Sequence, residues 1–111
     1  MHLEVTIDGG NLRVVLEGRL DLTGVNAISN QFAFQVAGHD GPAVVDCRKV
    51  SFMGSLGMGM LVAAAKALRR KGHSLTLLEP QPLVEEVLRT AGIHNVVPIV
   101  HDEDEQRDGR E

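Results

Sequence analysis

Between Val44 and Leu68 the chain reads VVDCRKVSFMGSLGMGMLVAAAKAL, an apolar run that passes almost directly into an alanine-rich helical pattern. The run is broken only by Asp46 and bends through the polar pair Arg48-Lys49. It then meets Ser51, Phe52, Met53, Gly54 and Ser55 before the helix begins. A strand that continues into a helix needs a crossover before its next pairing, which argues for parallel neighbours. The same junction delivers the Ser55 hydroxyl to the first turn of a helix. The N–H groups there lack intrahelical partners and carry a positive partial charge, so a serine at that point can later hold a phosphate.

The rest of the chain fits around this unit. Leu3, Val5 and Ile7 alternate with polar residues, Asp8-Gly9-Gly10-Asn11 is a turn signal, and Leu12, Val14 and Leu16 resume the alternation. The first two strands therefore form a hairpin, the second ending at Glu17-Gly18. Asp21 or Thr23 suits a helix N-cap, and Val25, Ile28, Phe32 and Val36 follow as a buried stripe that Gly38 to Pro42 ends. The third strand is Ala43 to Cys47. The helix after Ser55 reaches Lys71, with Gly72 as its stop. Ser74 to Glu79 is a fourth strand. Pro82 opens a third helix whose apolar face is Leu83, Val84, Val87, Leu88 and Ala91. Val96 to Val100 is a last strand, with Pro98 marking it as an edge.

The order strand, strand, helix, strand, helix, strand, helix, strand predicts an α/β fold: one mixed sheet of about five strands with three main helices packed on it. A chain of 111 residues suits one small domain. Residues 1–100 carry all of this pattern. Residues 102–111 hold six acidic and two basic side chains, which is the whole net charge of −4. The segment 101–111 thus reads as an acidic, solvated and disordered tail. A neutral body with an acidic end does not suit nucleic acid. No run approaches the ~20 apolar residues of a membrane span, and no signal peptide is visible. The single Cys47, in an apolar strand, reads as inert core in a reducing, cytoplasmic setting.

Three motifs now converge on a resemblance. Val50-Ser51-Phe52-Met53, then x-Ser-x-Gly and a helix, is similar to the anti-sigma factor antagonists, stand-alone STAS domains. That family carries an Asp-Ser-Ser/Thr-Gly-Leu-Gly element here. In this chain its serine is Ser55 and its glycines are Gly57 and Gly59, while Gly54 stands at the aspartate and Leu56 at the second hydroxyl. Gly18-Arg19-Leu20-Asp21 resembles the family's Gly-Glu-Leu-Asp element, with Arg19 in place of the glutamate. The element order matches the STAS fold over residues 3–100. The resemblance implies that Ser55 is the phosphorylation site and that Asp21 belongs to the partner-binding surface beside it. It also implies the partners: an anti-sigma factor that is an ATP-using serine kinase, and a metal-dependent serine phosphatase.

Helical geometry extends that surface. At about 100° per residue, Gly57, Leu61, Ala64 and Leu68 share one sector and should pack on the sheet. Ser55, Met58, Gly59, Val62, Lys66 and Arg69 point the other way. A methionine, a glycine and a valine beside an exposed serine suit docking, because methionine adapts its shape and glycine admits another backbone. The expected partner-binding set is Asp21, Gly54, Ser55, Leu56, Met58, Gly59, Val62 and Lys66.

Two other classes remain. One is a STAS subunit of a membrane transporter, of the lipid-transport ATPase type, without phosphorylation; Gly54 and Leu56 favour it. The other is an enzyme. The five histidines occur singly without metal-ligand spacing, and Ser55 lies in no G-x-S-x-G elbow. No catalytic residue, metal or cofactor is expected.

Overall fold

The computed structural model describes residues 1–102 of the chain. The acidic segment expected to be a solvated tail lies, from residue 103 on, outside the described residues.

Among the described residues, five strands form one sheet in the order β1-β2-β3-β4-β5. Strands β1 (His2–Asp8) and β2 (Asn11–Leu20) are antiparallel, and every later pairing is parallel. Gly9 and Gly10 both have positive φ, 58° and 87°. That is the backbone a two-residue turn needs if it is to follow the twist of its strands. Helix α1 (Leu22–Ala37) leads to β3 (Ala43–Met53), α2 (Ser55–Arg69) to β4 (Leu75–Leu78), and α3 (Pro82–Thr90) through a short 3-10 turn at Ile93–Asn95 to β5 (Ile99–Val100).

Each crossover steps one strand further in the same direction. With the usual right hand, all three helices therefore fall on one side of the sheet. Their buried residues join one apolar cluster with Val14, Val45, Cys47 and Leu77. Val14, Val45, Leu77 and Ile99 are paired in turn across the sheet and make the row on which the helices rest. Among the described residues, the mixed α/β sheet with three main helices is as the element order predicts.

Several boundaries differ from the sequence expectation. The third strand does not stop at Cys47, and Arg48-Lys49 is no bend; β3 continues to Met53. Its neighbour β4 pairs only with Ala43 to Asp46, while β2 stays paired as far as Met53. Beyond Asp46 the strand is thus open on one edge, where Arg48 and Lys49 reach solvent. Likewise β2 runs past Gly18, absorbing two register shifts where Gly18 takes φ 119°. Helix α2 ends at Arg69, before the expected Lys71.

Beyond α2 the elements are shorter or turned. The fourth strand is four residues and the fifth two, because Val96 and Val97 close the 3-10 turn by bonding back to Ile93. In α3 only Val84 and Leu88 are buried; Leu83 and Val87 are 76% and 41% exposed. Nine residues meeting the core along one narrow stripe leave the flanks of the apolar face outside. Asp46 is buried and compensated: Arg13 donates to it at 2.6 Å and the Arg48 backbone N–H at 3.0 Å.

Candidate functional site

Two crossovers build the site. Where β2 ends, Asp21 caps α1 by accepting the Gly24 N–H at 2.9 Å. That hydrogen bond, helped by Arg19 at 3.3 Å, outweighs slight burial and holds the Asp21 carboxyl below its ordinary value. Where β3 ends, Gly54 donates its N–H to the Leu20 carbonyl at 3.1 Å, which fastens the start of α2 to the end of β2. Gly54 is itself the N-cap of α2, with φ −99° and ψ 178°, and no side chain caps that helix.

Ser55 is therefore the first residue of α2 and is exposed. Gly57, Leu61, Ala64 and Leu68 are buried, so the helix lies in the expected phase. Met58 and Val62 are half-buried, and Gly59, Lys66 and Arg69 are exposed on the outer side.

Ser55 borders two hollows. One, of about 170 Å³, is lined by Leu20, Asp21, Leu22, Phe52, Gly54, Ser55 and Leu56. The other is an open groove of about 590 Å³ between α2 and the end of α3. Ser55, Met58, Gly59, Val62, Ala63, Lys66 and Arg70 line one side of it, and Ala91 and Ile93 the other. The eight residues singled out from the sequence all line one or other hollow, and Ser55 alone lines both.

Sequence reasoning missed three parts of this surface. Leu22 and Phe52 stand 61% and 39% exposed beside Leu56, itself 52% exposed, so the serine sits against an apolar rim. Arg19 lies over the Phe52 ring, 4.4 Å from its centre, and ties that rim to Asp21. Ala91 and Ile93 form the far bank of the groove, more than 30 positions along the chain from Ser55. No periodic signal links them; only the β4–α3 crossover does.

Charge around the site is uneven. Lys66 and Arg70 line the groove and Arg19 pairs with Asp21, which is the one carboxylate among the described residues lining either hollow. Lys71 is otherwise engaged, donating to the Ala37 and His39 carbonyls at the end of α1. Cys47 is fully buried, and desolvation together with the Asp46 charge pushes its thiol up to about 12, as suits an inert core residue. Among the described residues no helix is long and apolar enough to cross a membrane.

The chain is similar to known proteins over nearly its whole length. A family model described as "Mlab, STAS domain" matches residues 3–100. A Bordetella bronchiseptica protein named as the anti-sigma factor antagonist BtrV is 26% identical over 101 residues, covering 89% of this chain and 87% of that one. A Mycobacterium tuberculosis protein named as an anti-anti-sigma factor is 28% identical over 101 residues, covering 87% and 68%. In fold, the chain matches the structure of the anti-sigma factor antagonist SpoIIAA in its unphosphorylated form. The TM-score is 0.76 over 98% of this chain and 96% of that one, at 20% identity.

Proposed function

Because this chain belongs to the STAS domain family, we propose that it is an anti-sigma factor antagonist whose docking surface is centred on Ser55 and switched by phosphorylation there. Unphosphorylated, it binds an anti-sigma factor of the serine-kinase type in the cytoplasm and so frees a sigma factor. The kinase ends the contact by phosphorylating Ser55, and a metal-dependent serine phosphatase restores it. The chain is ligand and substrate in this scheme and performs no catalysis.

One observation carries the reading. One exposed serine is shared by a hollow and a groove, so a partner that fills either of them reaches Ser55. A phosphate adds roughly −1.5 to −2 charges. The start of α2 tolerates that charge, because its free N–H groups and dipole favour an anion. A partner pressed against Leu56, Met58 and Val62 would meet a hydrated dianion, and a loss of ~1.4 kcal/mol is already tenfold in affinity. The switch blocks the interface without unfolding the domain. The names of the two relatives, an anti-sigma factor antagonist and an anti-anti-sigma factor, point the same way.

A second reading keeps the surface and drops the switch. Gly54 and Leu56 replace the family's aspartate and second hydroxyl, and an exposed leucine beside the serine suits a lasting apolar contact, as in a STAS subunit of a lipid-transport ATPase complex. Affinity purification from the native cell, with mass spectrometry of the bound proteins and of Ser55, separates the two. A kinase and a phosphorylated Ser55 support the first. A transporter ATPase with Ser55 always unmodified supports the second.

A further inference from the structure

We propose that the outer edge of β1 is a self-association surface, on which two copies of this chain pair antiparallel with Val5 opposite Val5. The two edges of the sheet are unlike. β5 offers two paired residues that follow Pro98, a short and blunted edge. β1 offers seven residues in unbroken register with β2, without proline, lysine or bulge. Exposed edges of that length are ordinarily guarded by such devices, because their free N–H and C=O groups invite another strand.

Apolar surface flanks this edge. Ile7 is 67% exposed and Phe34, on α1, is 76% exposed; the two border one hollow with Leu12, Gly38 and His39. Leu3, Val5 and Ile7 point to the helix side of β1, and His2, Glu4, Thr6 and Asp8 to the other.

Charge then selects a register. Centring the pair on Val5 sets His2 opposite Asp8, Glu4 opposite Thr6, and Leu3 opposite Ile7. The apolar row of each copy meets the apolar row of the other, and Phe34 extends that strip over α1. Centring on Glu4 would put Glu4 against Glu4, and centring on Thr6 would put Glu4 against Asp8, both repulsive. Half-step registers would face the apolar row with the polar one. Centring on Leu3 or Ile7 avoids like charges but pairs only three strand residues of each copy, so the Val5 register is the one that satisfies the charges over the whole strand and buries Ile7. Strand β2 stands between β1 and the strand leading to Ser55, so a pair formed this way leaves both serine surfaces open.

Sedimentation velocity of the full chain, from about 1 µM to several hundred µM, tests the proposal. The expected result is a concentration-dependent species of twice the 12.0 kDa chain mass. Thr6→Glu, which sets a carboxylate opposite Glu4 at both symmetric positions, should weaken the pair more than tenfold. Adding Glu4→Lys should restore it. Ile7→Lys, at a position already exposed, should also abolish the pair without lowering the melting temperature. A monomer over the whole range overturns the proposal. So does a dimer that none of these changes affects.

Discussion

Gly57 packs directly against Leu20: a Cβ on the glycine would stand 3.0 Å from the Leu20 Cβ, and as close to the Met53 sulfur. That contact seats the first turn of α2 on the end of β2, and so brings Ser55 beside Asp21. The family-like Ser-x-Gly spacing therefore has a packing reason here, since only a residue without a side chain lets the two elements approach.

Gly57→Ala should accordingly destabilise the domain. Overpacking a tight contact costs about 1–3 kcal/mol, and the better helix propensity of alanine returns at most ~1 kcal/mol. A net loss of about 1 kcal/mol is expected, read as a lower urea midpoint with an unchanged slope.

Gly59 should behave in the opposite way. A Cβ there meets nothing within 4 Å, so Gly59→Ala should stabilise the isolated domain by up to ~1 kcal/mol. If a partner's backbone packs against the bare helix at this point, the same change should cut binding more than tenfold. Parallel melting and titration measurements on this one variant check both halves.

The outer and inner sides of α2 give a second contrast. Leu61 has no exposed surface and Val62 lines the groove. Leu61→Lys should unfold the domain, because it buries an unpaired charge. Val62→Lys should cost about 1 kcal/mol of half-buried apolar contact yet abolish docking, which circular dichroism melts and a pull-down with the cognate partner would separate.

The sequence made some of this legible and hid the rest for identifiable reasons. Helical phase was readable from residues 57 to 68, because one buried stripe repeats at a regular spacing. A cap at Asp21 or Thr23 was readable from their place before an apolar pattern, and the structure selects Asp21. The continuation of β3 past Cys47 was not, since Arg48 and Lys49 are polar only because β4 stops short of them. Nor were the exposures of Leu83 and Val87, which depend on how little of α3 touches the core. The groove itself was invisible, because Ile93 and Met58 become neighbours only through a crossover.

A histidine bridge at the end of β5 predicts a pH profile. His101 reaches Glu79 at 3.0 Å and Glu85 at 3.1 Å. Burial works against its charged form, but hydrogen bonds and charge from the two glutamates outweigh that and raise it above its ordinary 6.5. Glu85 is likewise opposed by burial, yet hydrogen bonds from Arg89 and His101 hold it below 4.5. A raised histidine stabilises fully below about 6.5 and loses that contribution as pH rises through its folded value. A lowered glutamate stabilises fully above about 4.5 and loses its contribution as pH falls. The melting temperature should therefore peak between these values, and His101→Gln should flatten the decline on the alkaline side.

The central claim is that the Ser55 hydroxyl is the point at which docking is switched. Titration calorimetry of the full chain, unphosphorylated and phosphorylated at Ser55, against the anti-sigma factor proposed as its partner tests it most directly. The account predicts that the phosphorylated form binds more than tenfold more weakly, with nearly the same melting temperature. Equal affinity of the two forms would contradict it.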